Sequence, residues 1–117
     1  MDKSIKKYKV FYKKGENFMN VLKQLSGTEL FVVVEGNIDS TSAPELNNQI
    51  CDSLKGIQSL VFDFQKVNYI SSAGLRVLLA ARKALGNEGE VIIRKPNQNV
   101  LDVFEMSGFD NILKIEK

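Results

Sequence analysis

Apolar and polar positions along this chain fall into two rhythms. Leu30-Phe31-Val32-Val33-Val34 and Leu60-Val61-Phe62-Asp63-Phe64 are short, dense runs rich in β-branched and aromatic residues. Runs of that length bounded by turn formers predict buried strands. The second is apolar on both faces apart from Asp63, the pattern of a central parallel strand. Ala43, Leu46, Ile50 and Leu54 recur instead at intervals of three and four, which traces one face of a helix. Leu75, Leu78, Leu79 and Leu85 draw a second such stripe, widened by Val77, Ala80, Ala81 and Ala84. Val91-Ile92-Ile93 predicts a further strand, and Val100, Val103 and Phe104 a third helix. Val21 to Leu25 predicts an early strand, joined through Ser26-Gly27-Thr28 to the Leu30 run as an antiparallel hairpin. Two weaker segments flank these. Residues 5–13 alternate, with Tyr8, Val10 and Tyr12 on one side, ahead of a turn at Lys14-Gly15-Glu16-Asn17. Ile112 to Ile115 reads as a short strand or an extended tail.

The punctuation agrees with this division. Ser42 is placed to cap the first helix, with Glu45 as its capping-box partner and Pro44 in the first turn. Gly56 ends that helix, Gly86 and Gly89 mark the exit from the second, and Asn97 is placed to cap the third. Ser107-Gly108-Phe109 has the form of a glycine C-cap followed by an apolar residue. After the hairpin, strands and helices alternate, which predicts right-handed crossovers. The expected fold class is α/β: a mixed, mostly parallel sheet of four to five strands with helices packed on it and an N-terminal antiparallel hairpin. In such sheets ligands and partners meet the loops beyond the carboxyl ends of the strands. Two loops belong there, Gly36 to Thr41 and Val67 to Gly74. If their strands are neighbours, Asp39 and Ser72 lie at the same end of the sheet.

Composition narrows the chemistry. A chain of 117 residues suits one domain with a real core. No apolar run approaches the ~20 residues of a membrane span, so no membrane insertion is expected. The single Cys51 and the lack of an apolar leader point to a reducing, cytoplasmic setting. There is no histidine, which removes the commonest general base and metal ligand. The +2 net charge hides an asymmetry: the first eighteen residues hold six lysines against Asp2 and Glu16, while the remainder is slightly acidic. This basic arm can be a solubilising segment or blunt a sheet edge, or it can touch nucleic acid or anionic lipid. Without a stacking platform or a base-reading motif beside it, no direct nucleic-acid contact is expected.

The candidate site is Tyr69-Ile70-Ser71-Ser72-Ala73-Gly74-Leu75-Arg76, where the apolar strand gives way to the long helix. The N–H groups of a helix start lack intrahelical partners and attract anions. A serine there can cap the helix or carry a phosphate. The constellations of serine hydrolases, Walker loops and dinucleotide folds are missing. Asp39 and Asp63 can contribute to a magnesium site, but Asp39 can equally cap a turn and Asp63 point along its strand into a hydrogen-bonded loop, and no dedicated ligand cluster accompanies them. No metal, no cofactor and no catalysis are expected.

E-G-N-I-D-S-T-S-A-P-E-L, then L-V-F-D-F-x-x-V-x-Y-I-S-S-A-G-L-R-V-L-L, then V-F-E-M-S-G-F closely resemble STAS-domain proteins of the bacterial anti-sigma-factor-antagonist family. Met19-Asn20 is similar to the usual start of that family. The resemblance implies a single STAS domain over residues 19–117, with residues 1–18 a basic extension able to supply an extra strand. It implies a phosphorylation-switched binding module that regulates transcription. Its partners would be an anti-sigma factor that is also a serine kinase of the histidine-kinase-like ATPase type, bound in the unphosphorylated state, and a serine phosphatase. Ser72 aligns with the phosphoacceptor, with Ser71 the competing acceptor, and Asp39 with an acidic residue near it. Asp39, Ser71, Ser72, Ala73, Gly74 and Arg76 form the implied partner surface. Many members carry aspartate where this chain has Ser71, and serine or threonine where it has Ala73. STAS-like domains also serve ABC-type lipid-transport complexes or bind nucleotides, so those alternatives stand beside the first.

Overall fold

The computed structural model describes residues 6–14 and 17–117, with side chains from Met19 onward. The elements are β1 (Lys6–Lys14), β2 (Asn17–Ser26), β3 (Glu29–Ile38), α1 (Ala43–Cys51), β4 (Ser59–Ile70), α2 (Ser72–Leu85), β5 (Glu90–Arg94), α3 (Gln98–Ser107) and β6 (Lys114–Glu116). One sheet holds the strands in chain order, β1-β2-β3-β4-β5-β6. The pairs β1–β2 and β2–β3 are antiparallel, and the other three are parallel. The expected mixed, mostly parallel α/β sheet is therefore present, with its antiparallel hairpin. Among the described residues it has six strands rather than four to five, because both weaker segments, residues 6–14 and 114–116, pair into it. The expected turn at Lys14-Gly15-Glu16-Asn17 and the side-chain alternation of Tyr8, Val10 and Tyr12 lie outside the described residues.

Burial explains the layering. Along β3, Leu30, Val32, Val34 and Ile38 are buried, while Phe31, Val33 and Glu35 are only half-buried. Leu60, Phe62 and Phe64 of β4 and Val91 and Ile93 of β5 continue the buried face. Residues from α1, α2 and α3 join this face in one core, including Leu46, Ile50, Leu78, Val100 and Phe104. Phe64 lies between Phe62 and Phe104, with ring centroids 5.6 and 6.5 Å apart, a tilted geometry that favours aromatic contact. Val61 and Ile92 point to the opposite face, where Arg94 stands 5.9 Å from the centroid of the Phe31 ring.

Two strands run further than the apolar runs suggest. β3 continues through Gly36 to Ile38, and β4 through Gln65-Lys66-Val67-Asn68 to Ile70. The register between them shifts twice, between Val33 and Glu35 and between Gly36 and Asn37. Each shift inserts extra β4 residues opposite β3, as β-bulges do. At the first, Asp63 Oδ1 accepts the Gln65 N–H at 2.9 Å. Near the second, Gly36 adopts φ +104°, a conformation that side-chain-bearing residues rarely hold. Polar, exposed residues at the bulges gave this stretch the look of a loop.

Gly74 fixes how closely α2 approaches the sheet. A Cβ placed on it would lie 2.6 Å from Ile70 Cγ1, 2.8 Å from Ile38 Cγ2 and 3.2 Å from the Ile38 carbonyl oxygen. Gly74→Ala is expected to destabilise the chain by about 1–3 kcal/mol through overpacking. Urea unfolding of the variant against wild type measures it.

Candidate functional site

The β4–α2 junction assigns separate roles to its two serines. Ser71 is the N-cap of α2, with extended backbone at φ −96° and ψ 176°, and its hydroxyl accepts the Gly74 N–H over a long 3.4 Å contact. Its carbonyl accepts the Leu75 N–H at 2.9 Å, the first bond of the helix. Ser71 is half-buried. Ser72 is the first helical residue and is exposed, and its hydroxyl has no partner among the described residues. No acidic residue occupies the first turn of α2. The positive end of this helix therefore reaches solvent beside a free hydroxyl.

The β3–α1 junction is built differently. Asp39 Oδ1 accepts the N–H groups of Thr41 and Ser42, both at 2.9 Å. The Asp39 carbonyl accepts the Ala43 N–H at 2.8 Å. The helical turn thus starts a turn before α1 proper, and Asp39 caps it. This corrects the expected Ser42–Glu45 capping box. Ser42 has helical dihedrals and makes no side-chain cap bond. Its hydroxyl is 2.7 Å from the Asn37 carbonyl, to which it donates, and it accepts the Asp39 N–H at 3.0 Å. Glu45 Oε2 accepts instead from Gln49 Nε2. A local serine–glutamate spacing lost to an aspartate held in place by the end of β3.

A single backbone bond ties the two junctions together. The Ser71 N–H donates to the Ile38 carbonyl at 2.8 Å, and Ile38 and Ile70 are register partners. Asp39 and Ser71 each follow one member of that pair, so the expected placement of Asp39 and Ser72 at one end of the sheet holds. Asp63 is elsewhere: its β3 partner is Val33, well back along the strand. Among the described residues no group of three carboxylate, thiol or imidazole side chains is placed to hold a metal ion.

Between the starts of α1 and α2 lies an open groove of about 300 Å³, lined by Ala43, Pro44, Asn47, Ala73, Arg76 and Val77. Ala73 and exposed Arg76, both expected at a partner surface, border it. Gly74 does not, since it is buried against Ile38 and Ile70. Sequence reasoning passed over Pro44 and Asn47, reading Pro44 only as a helix starter. Tyr69 opens the candidate stretch but has no part in the implied partner surface, and it is 51% exposed two residues before the cap. An exposed aromatic beside a candidate site is the signal that could have found it.

The STAS domain family model matches residues 20–117. The chain belongs to the STAS domain family. This STAS domain is 35% identical over 88 residues to BtrV of Bordetella bronchiseptica, a protein assigned as an anti-sigma factor antagonist. That match covers 74% of the chain and 76% of the relative. It is 26% identical over 98 residues to the anti-sigma-B factor antagonist of Listeria monocytogenes, covering 81% of the chain and 85% of the relative. Its fold matches the crystal structure of an anti-sigma factor antagonist from Mycobacterium paratuberculosis, with a TM-score of 0.79 and 23% identity. That superposition covers 89% of this chain and 90% of the other. No helix among the described residues is long and apolar enough to cross a membrane.

The two capping arrangements can be tested separately from any partner. Ser71→Ala and Asp39→Ala are each expected to cost about 0.5–2 kcal/mol of stability, the usual effect of removing an N-cap. Ser72→Ala should stay within about 0.5 kcal/mol of wild type, because its hydroxyl bonds nothing. Chemical denaturation of the three variants gives the comparison.

Proposed function

We propose that this STAS domain is an anti-sigma factor antagonist whose binding is switched by phosphorylation of Ser72. In its unmodified form it binds an anti-sigma factor that is also a serine kinase of the histidine-kinase-like ATPase type, and so releases the sigma factor for transcription. The kinase then transfers phosphate to the Ser72 hydroxyl, with ATP as donor and ADP as leaving group. A serine phosphatase resets the switch. The chain acts by docking, not by catalysis of its own, and works in the cytoplasm. Residues 19–117 form the docking domain and residues 1–18 an extension to it.

The observation that carries this reading is the division of labour at the α2 start. Ser71 is occupied as a cap, while the Ser72 oxygen is exposed and unbonded. Ser72 is therefore favoured over Ser71 as the acceptor. Ala73 and Arg76 on α2 and Pro44 and Asn47 on α1 supply the adjoining contact surface. Gly74 serves this surface from within, by setting the depth of α2.

The physics of the switch follows from charge. A phosphate adds about −1.5 to −2 charge and three strong acceptor oxygens. At a helix N-terminus that charge is tolerated and typically gains about 0.3–1 kcal/mol from the dipole. The fold therefore survives modification. A partner packed over Ser72 meets a different situation, because it must strip water from a dianion near Asp39. A loss of about 3 kcal/mol corresponds to roughly a hundredfold in affinity. Ser71 in place of the family's usual aspartate leaves one fewer like charge beside the phosphate.

Ser72→Asp should fold normally yet bind the cognate anti-sigma factor about a hundredfold more weakly by calorimetry. Ser72→Ala should fold and stay bound in the presence of ATP. Equal affinity of Ser72→Asp and wild type would rule out charge exclusion as the gate. Incubation with the cognate kinase and ATP should add one phosphate to the intact mass, and fragmentation should place it on Ser72. Placement on Ser71 would move the switch to the capping residue.

A further inference from the structure

The two edges of the sheet are finished differently. β6 is three residues long, and so short an edge offers a neighbour little to pair with. β1 is nine residues long and pairs with β2 without a register shift, from Lys6 opposite Leu25 to Lys14 opposite Asn17. Among the described residues no strand lies beyond it. It contains no proline, no glycine and no bulge, which are the usual structural guards of an edge. It also lies outside the span matched by the family model.

The one guard present is charge. Lys6, Lys7, Lys9, Lys13 and Lys14 fall within β1, and no acidic residue does. Lysines guard an edge by sign and leave its shape open. Antiparallel pairing of β1 with a second copy centred on Val10 would set Lys6 opposite Lys14 and Lys7 opposite Lys13. Like charges directly opposite each other oppose such pairing. A strand of opposite sign meets the same unpaired N–H and C=O groups with that penalty reversed. Lys7, Lys9 and Lys13 also share one parity of the register, opposite Gln24, Leu22 and Phe18. An incoming strand with acids at alternate positions matches that spacing.

We propose that the outer edge of β1 docks an acidic, extended peptide segment of a partner protein, which adds to the sheet as a seventh strand. Ladder hydrogen bonds give such a complex its affinity, and the lysines choose its partner. The site is distinct from the Ser72 switch: β1 is an outer strand, whereas Ser72 follows β4, three strands further in.

The probe is a capped nine-residue peptide alternating glutamate and threonine, titrated into the full chain by calorimetry and backbone-amide NMR. Saturable one-to-one binding is expected, with shifts concentrated in β1 and β2. Affinity should fall by at least about tenfold on going from low salt to roughly 0.5 M salt, since several surface ion pairs are screened together. The triple variant Lys7→Thr, Lys9→Thr, Lys13→Thr, checked for folding by circular dichroism, should lose about tenfold in affinity. Ser72→Asp should bind the peptide as wild type does. A version of the peptide N-methylated at every residue keeps the charge but cannot donate to the ladder from either edge. If it binds equally well, strand addition is wrong and only charge attraction remains. The proposal is equally overturned if a lysine–threonine peptide binds as tightly, or if no peptide saturates the chain. It is also overturned if light scattering shows a dimer that the triple variant dissolves, or if phosphatidylserine vesicles or duplex DNA bind while the peptide does not.

Discussion

The bond from the Ser71 N–H to the Ile38 carbonyl holds the candidate site in place. It joins the last residue of β3 to the residue that follows β4, so the two neighbouring junctions cannot drift apart. The buried Ile38–Ile70 pair sits beneath it, and Gly74 lets the first turn of α2 settle on that pair. A side chain at position 74 would push the helix start outward and carry the exposed Ser72 with it. The position of one hydroxyl is thus set by a close approach that only glycine permits. The core supplies the rigidity, since interiors packed to crystal-like density transmit small displacements instead of absorbing them.

That rigidity bears on how a modification can act. The two helix starts at this end of the sheet are chemically unlike. The turn before α1 already carries a carboxylate, because Asp39 accepts two backbone N–H groups there. The start of α2 carries a neutral serine cap and a second, exposed serine. Adding a dianion to α2 brings it to the condition that the α1 junction has from the outset, so the fold has no reason to rearrange. The effect then falls on whatever rests against the groove. A change of sign at a surface shifts a binding equilibrium only by its differential interaction with the partner. A desolvated interface makes that difference large while the free domain barely registers it.

Much of this was legible in the sequence, and the omissions share a cause. The central strands follow from dense apolar runs between turn formers, and the helices from apolar positions that recur at intervals of three and four. The ends of β3 and β4 do not follow. Gln65, Lys66, Asn68 and Tyr69 are exposed, so they carry no alternation, yet they belong to a strand because β3 runs alongside them. Bulges break the period from which strands are read. Ser42 illustrates the same limit. Its spacing to Glu45 satisfies a local rule, but the direction in which β3 delivers the chain gives the capping position to Asp39. The two serines at the site were recognised as a pair, whereas their separate roles depend on one dihedral setting at Ser71, which composition does not encode.

β1 shows what a local reading omits in the other direction. Its lysines read equally well as a solubilising arm or a blunted edge while its neighbours are unknown. Once the strand is placed outermost, the same residues acquire a geometric meaning. An edge can be closed by shape or by charge, and closure by shape excludes every strand alike. Closure by charge excludes only strands of the same sign, so it discriminates among partners while preventing self-association. β6 needs no such device because it is short. A nine-residue edge guarded by lysines alone is therefore selective as well as protected, and selectivity by sign is the property a recognition surface requires.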